Sequence, residues 1–524
     1  MKSKFKQFAS KVKRYKLPYP VHPFLFAILP ILFIYANNLD QVFMSEMIFP
    51  IIISLAVTTF VFFTLKFILK DINKTAFVTT LSLIIFFSYG RIFSFIEAFE
   101  VNGIIIGRNK VLLPFSLILL LIIFVLTNKT KTDFQKISRF LNFTAVILIL
   151  ISLANIGNFA FSNNLKLLEP GAKKSQLENL STSNDSASKL PDIYYIILDG
   201  YARESTLKAV HDYDNSDFIN SLEKRGFYVA DKSQSNYSVT QLSIPSTLNM
   251  NYLDHLDDKQ MTNDKKFNIT QKQLRNNEAA RFLKDKGYTI INITTGWREI
   301  HGSPLADQVI YDRKQLSEFV EILLHTTALI TWERLQVREA DAILYGFEKL
   351  SEIPEIDKPT FTFAHFLTPH FPYVFDRDGN KTPPGYTKKF TGTKGWKEKD
   401  RYIDQLVFIN SKILEVIDEI FSKSEVLPII IIQSDHGTAS MDQMEIDLDS
   451  ITKPQFDERM DILNAYYLPK GGNKILYKTI TPVNSFRKIF NHYFKANYQI
   501  LDDVSYFSQH KNIFKSVVAP KEIN

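Results

Sequence analysis

Leu427-Pro428-Ile429-Ile430-Ile431-Ile432-Gln433-Ser434-Asp435-His436-Gly437 is the stretch on which the fold turns. A run of β-branched residues of this length, closed by Gly, predicts a buried parallel strand. Such strands present side chains to ligands at their carboxyl ends. There Asp435 and His436 offer a carboxylate and an imidazole, two natural ligands for one divalent cation. A second run, Ile193-Tyr194-Tyr195-Ile196-Ile197-Leu198, leads into Asp199-Gly200. Two strand ends, each with an acid followed closely by Gly, point to one metal site assembled from distant parts of the chain.

Outward from these strands the pattern alternates. Strands are expected at 192–198, 288–293, 360–366 and 428–434, and helices at 216–225, 277–286, 401–423 and 484–494. In the longest helix Ile403, Leu406, Val407, Ile413, Leu414, Ile417 and Phe421 recur at helical spacing, a stripe for packing on a sheet. Strands separated by helices predict an α/β domain over 191–524, a mostly parallel sheet with helices on both faces. The chain has no internal repeat and no Gly-rich phosphate loop.

Upstream the composition changes. Apolar stretches near 22–37, 47–69, 76–96, 111–128 and 140–161 are each about long enough to cross a ~30 Å hydrocarbon layer. Only short polar breaks separate them, so residues 1–161 are expected to form a five-helix transmembrane domain rather than a set of core helices. No small-residue cleavage site follows the first stretch, which argues against a signal peptide. Residues 1–16 carry seven Lys or Arg and no acid. Beside membrane spans, such a tail suits anionic lipid and not nucleic acid. The tail, the loop at Lys70–Lys74 and the loop 129–139 are basic and fall on one side, which the positive-inside rule makes cytoplasmic. Arg108 and Lys110 in the opposite loop run slightly against that rule. Five crossings then put everything after 161 on the extracytoplasmic side of a cytoplasmic (inner) membrane. Arg91, Glu97 and Glu100 end the third span, where they read as anchors in the outer headgroup layer. Residues 162–190, rich in Ser, Asn and Lys, read as a linker. The chain has no cysteine, which excludes disulfides and Cys-based metal sites.

A nucleophile is sought next. In Ser235–Met250 several hydroxyls precede a helix whose first turn Pro245 is placed to occupy, with Ser243 near the N-cap. The positive field of a helix N-terminus favours an alkoxide and an incoming phosphate or sulfate. The same hydroxyls can simply cap the helix, and taken alone the stretch reads as a cap before it reads as a catalytic site. Gly296-Trp297-Arg298 follows the strand 288–293, and Arg298 there can meet phosphate bidentately. His370 lies in an aromatic loop after the strand 360–366, placed to donate to a phosphoryl oxygen or to protonate a leaving group. His365 reads as a core residue.

The order of Asp199, then a hydroxyl before a helix, then Ser434-Asp435-His436-Gly437 resembles the alkaline phosphatase/sulfatase superfamily. The membrane anchor resembles its branch of lipoteichoic acid synthases and phosphoethanolamine transferases. Thr240-Gln241-Leu242-Ser243-Ile244-Pro245 is similar to the transferases' nucleophile segment. His365-Phe366-Leu367-Thr368-Pro369-His370-Phe371-Pro372-Tyr373 resembles the segment that supplies a substrate-binding His. The resemblance implies one divalent metal held by Asp199, Asp435, His436 and Thr240, with Mn or Zn ahead of Mg. It implies Thr240 as nucleophile, through a phospho-threonine, and Trp297, Arg298 and His370 as substrate contacts. Asp199 stands where several membrane-bound members have Glu. The activity implied is transfer of a phosphoalcohol group, phosphoglycerol or phosphoethanolamine, from a phospholipid to an envelope glycan or lipid. The alternatives are a sulfatase-like hydrolase of sulfate or phosphate esters and a non-catalytic envelope protein. Ser243-Ile244-Pro245-Ser246-Thr247 partly echoes the sulfatase signature, but Thr247 stands where that signature has Arg.

Overall fold

The computed structural model describes residues 19–39, 44–96, 100–101, 104–105, 109–166, 190–256, 261–296, 303–312, 318–331, 337–382 and 392–518. The chain divides into two compact units. One is Met1–Ser181 with Leu316–Trp332, and the other is Thr182–Gln315 with Glu333–Asn524.

The first unit contains α1 (His22–Ala36), α2 (Met44–Leu69), α3 (Ile72–Ile96), α4 (Asn109–Lys129) and α5 (Gln135–Lys166). Apolar helices thus occur at all five expected places, but among the described residues only four are long and apolar enough to cross a membrane. The shorter one, α1, has 15 residues, a rise of about 22 Å against a ~30 Å layer. Its start is fixed from α5: Asn142 Oδ1 accepts from the backbone N–H of Val21 at 3.0 Å and of His22 at 2.8 Å. Lys74 Nζ donates to Thr130 O at 2.6 Å. That bond joins the two basic loops read from the sequence as lying on one side. Glu97, Arg108 and the side chain of Glu100 lie outside the described residues, as do the basic tail 1–16 and most of the linker.

The first unit also takes in a helix from far along the chain, Glu318–Thr326, called here the inserted helix. Phe319 and Leu323 on it are buried with Ile31, Leu32, Ile34 and Tyr35 of α1 and Met47 of α2. Its last turn lies against Gly90 of α3. A Cβ on Gly90 would collide with the carbonyl oxygen of His325, so only a residue without a side chain lets the two backbones meet there. The sequence division into an uninterrupted 191–524 domain did not anticipate this excursion.

The second unit is built on a seven-stranded sheet. Its strands are β1 (Ile193–Leu198), β2 (Tyr228–Val229), β3 (Thr289–Thr294), β4 (Gln308–Ile310), β5 (Thr360–Phe366), β6 (Ile429–Gln433) and β7 (Asn464–Tyr467). The spatial order is β2-β7-β6-β1-β5-β3-β4. Strands β6, β1, β5, β3 and β4 run parallel, and β7 is antiparallel to both its neighbours. β1 is buried along its whole length, as its unbroken apolar run requires when helices cover both faces. Tyr194, Ile196 and Leu198 face α8 (Val337–Glu352) and α9 (Lys399–Lys423) through Phe347, Leu350, Leu406 and Ile413. Ile193, Tyr195 and Ile197 face α7 (Glu278–Asp285) and α11 (Pro482–Phe494) through Leu283, Phe486 and Ile489. The helix after the hydroxyl-rich segment, α6 (Thr240–Leu248), starts earlier than expected. Val239 is its extended N-cap, and Pro245 lies inside the helix rather than in its first turn. The Val239 carbonyl already accepts from Leu242 and Ser243, which fixes the start upstream of the proline. The helix α10 spans Lys453–Met460.

Candidate metal centre

The parallel pairing of β1 with β6 sets Ile197 beside Gln433, so the chain leaves both strands at one level of the sheet. Asp199 and Asp435-His436 emerge there together. One ligand atom from each of Asp199, Asp435 and His436 lies within 4.8 Å of the others, and all three residues are buried. His436 Nε2 stands 3.3 Å from Asp435 Oδ2 and 3.6 Å from Asp199 Oδ1. Thr240, at the first position of α6, donates from Oγ1 to Asp435 Oδ2 at 2.6 Å and lies 3.2 Å from His436 Nε2. Of the residues expected to bind metal, the structure brings all four together.

Protons at the cluster are already committed. His436 Nδ1 donates to Gly437 O at 3.0 Å, which assigns that tautomer and leaves a lone pair on Nε2. Asp199 Oδ1 is buried without a hydrogen-bond partner. An orphaned carboxylate oxygen in the interior is costly, and here it faces an imidazole lone pair and a second carboxylate. Two carboxylates, an imidazole nitrogen and a hydroxyl converging in this way fit a divalent cation.

The electrostatics follow from burial and crowding. Burial pushes the Asp199 carboxyl up, but His370, His365 and His436 outweigh it and hold it below its ordinary value. Asp435 is pushed up to about 7 by burial and by the Asp199 charge. Burial and the nearby Arg459 drive His436 well below the usual imidazole range, so it is neutral.

His370 Nδ1 donates to Phe371 O at 2.6 Å, and its ring lies 6.1 Å from that of His436 and 4.7 Å from that of Trp396. It therefore borders the cluster, with burial lowering its pKa. Trp297 and Arg298 lie outside the described residues. Ser243, the serine of the sulfatase-like stretch, is buried 3.1 Å from Ser235 Oγ, and Ser235 Oγ also donates to Asp435 O at 2.5 Å. Ser243 thus helps support the loop behind the cluster.

Two residues escaped the sequence reading. His365 is in the core, as expected, yet its Nε2 lies 3.2 Å from Asp199 Oδ2. That is how an outer partner orients a metal-binding carboxylate. Arg459, on α10, is almost wholly buried. Its Nε donates to Ser238 O at 2.7 Å and its Nη1 to Gly437 O at 2.9 Å. One guanidinium thus ties the loop before Thr240 to the loop after His436. No local motif marks Arg459. The alternation of side chains along β5 was the one available hint for His365.

Residues 191–487 match the sulfatase family, and the chain belongs to it. Among solved structures, the chain is similar to the C-terminal periplasmic domain of EptC from Escherichia coli. The identity is 12% and the TM-score 0.42, over 64% of this chain and 93% of that one. It is also similar to the periplasmic domain of the phosphoethanolamine transferase EptC from Campylobacter jejuni, at 13% and 0.38, over 60% and 92%. A phosphonate monoester hydrolase of Agrobacterium radiobacter matches at 11% and 0.38, over 61% and 80%. No curated protein matches the chain.

Proposed function

We propose that this sulfatase-family chain is a membrane-anchored phosphotransferase that moves a phosphoalcohol group from a phospholipid to an envelope glycan or lipid. The observation that carries the proposal is the Thr240 hydroxyl, 2.6 Å from Asp435 and 3.2 Å from His436. A threonine is where the family's sulfate-ester members need a convertible Cys or Ser, and Ser243 is turned away into the loop support. A nucleophilic hydroxyl suits phosphoryl transfer.

Asp199, Asp435, His436 and Thr240 would hold one divalent cation, with Mn or Zn ahead of Mg. The chemistry such a cation supplies when bound is a lowered hydroxyl pKa and an electrostatic sink for phosphoryl charge. The Thr240 proton moves toward Asp435 Oδ2 as Oγ1 attacks phosphorus in line. The first-turn amides of α6, which have no partner within the helix, favour the charge that develops. The bond from phosphorus to the diacylglycerol oxygen breaks, and the headgroup phosphate remains on Thr240. The departing alkoxide takes its proton from water, and His370, a neutral imidazole at the edge of the cluster, takes one from the acceptor hydroxyl in the second step, as Asp435 returns its proton to Thr240. The four apolar helices of spanning length keep the chain at a bilayer and so raise the effective concentration of a lipid donor.

The test is intact-protein mass spectrometry of the full chain after exposure to phospholipid vesicles. Wild type should gain the mass of one headgroup phosphate, and Thr240→Ala should gain nothing. An equal adduct on Thr240→Ala would sink the proposal. Rapid loss of the adduct in water without an acceptor would recast the protein as a phosphodiester hydrolase.

A further inference from the structure

The first unit carries an open pocket of about 350 Å³ that the chemistry above does not use. Apolar side chains of α1, α3 and α5 line it, among them Phe33, Leu83 and Leu148, and its polar members include Ser88, Arg91 and Thr326. Ser88 and Arg91 are three apart on α3 and so share a face. They bracket Gly90, the notch that receives the end of the inserted helix, and Thr326 is the last residue of that helix. Three of the four polar members therefore gather toward the end of α3 remote from Lys74, the fourth being Ser152 of α5, in a slot whose other lining residues are apolar.

The pocket has room for far more than one water, and its mostly apolar lining offers water few hydrogen-bond partners. Hydrocarbon is the filling that a bilayer offers. A guanidinium at the mouth of the slot matches a phosphate, which arginine binds in a fork. We propose that this slot is a seat for one glycerophospholipid, with an acyl chain among α1, α3 and α5 and the phosphate on Arg91. The inserted helix, which arrives from the catalytic stretch of sequence, completes the mouth through Thr326. This inference rests on the phospholipid-donor reading above and assigns the donor a resting place in the first unit.

The experiment uses full-length protein released from membranes in mild detergent. Native mass spectrometry compares wild type with Arg91→Gln, with Leu83→Trp, which fills the slot, and with Phe60→Trp, which changes an exposed face of α2. Wild type and Phe60→Trp should retain phospholipid at a fixed ratio, and the other two should lose it. KM for phospholipid in mixed micelles should rise about tenfold in those two. Turnover of the water-soluble diester bis(4-nitrophenyl) phosphate should stay within about twofold of wild type. Should Leu83→Trp fail to assemble, Arg91→Gln carries the test alone. Equal phospholipid retention by Arg91→Gln, or wild type holding diacylglycerol as well as phospholipid, overturns the seat. Retention that depends on Arg91 while no adduct ever forms on Thr240 leaves the seat standing and removes the transfer reaction.

Discussion

At the strand ends, segments 195 and 235 residues apart are joined by directional polar bonds. At Gly90, a segment equally remote meets α3 by close packing of one backbone on another. The first meeting place lies at the end of a central strand buried on both faces. The second lies among helices whose surroundings are themselves apolar. Polar bonds fix atoms to within tenths of an ångström and carry charge, so the strand-end centre can position a nucleophile. Apolar contact among membrane helices cannot draw on expulsion of water and depends on close packing. The inserted helix is therefore suited to attachment rather than to chemistry. Substitutions should separate the two regions: at the centre they change reactivity, and at the inserted helix they change docking.

The largest effect on reactivity is expected at Thr240. Thr240→Ala should lower turnover of any diester by about a thousandfold or more, while circular dichroism stays that of wild type. Turnover within tenfold of wild type would place the nucleophile elsewhere. Next comes His365→Ala, which removes the partner of Asp199 Oδ2. Metal affinity measured by chelator competition should fall by roughly ten- to a hundredfold, with KM for substrate little changed once metal saturates. An unchanged affinity would reduce His365 to core packing.

The third test is pH. Asp435 is pushed up to about 7 in the metal-free centre, and a cation needs its carboxylate ionised. Above that pH, binding is at full strength. Below it, a proton competes, and affinity should fall about tenfold per pH unit. Asp199, held down, and His436, held neutral, add no competition across this window. Calorimetric titration between about pH 5 and 8 reads the slope, and a flat profile would remove Asp435 from the ligand set. The smallest effect on chemistry belongs to Phe319→Ala. Hydrogen exchange over 318–326 should quicken by roughly tenfold as the inserted helix loosens, while turnover of a soluble diester holds. A parallel loss of turnover would mean that the two regions are coupled after all.

Much of the centre was legible in advance because strand ends are local events. An apolar run followed by an acid and Gly marks where a parallel strand delivers its side chains, which gave Asp199, Asp435 and His436. The start of α6 was misplaced because Pro245 is at home in a first turn. Here Val239 had already begun the helix, at the cost of one hydrogen bond at the proline. His365 was read as core, and it is core. Its contact with Asp199 depends on β5 lying beside β1 with Ile197 opposite His365, a register no single strand encodes. Arg459 was invisible for the same reason, since its partners, Ser238 and Gly437, come from two other loops. The inserted helix has the composition of any buried helix, and nothing within Glu318–Thr326 says which unit will bury it.

The twofold passage of the chain through the first unit bears on how the protein can be handled. A truncated version starting near residue 190 would keep Glu318–Thr326 but lose α1 and α2, leaving Phe319 and Leu323 bare to solvent. Such a preparation invites aggregation from a helix that is well behaved in its own setting. Conversely, proteolytic cutting in the 167–189 stretch of the intact protein would not set the catalytic portion adrift, because a second strap of the same polypeptide would still be gripped among the bilayer helices.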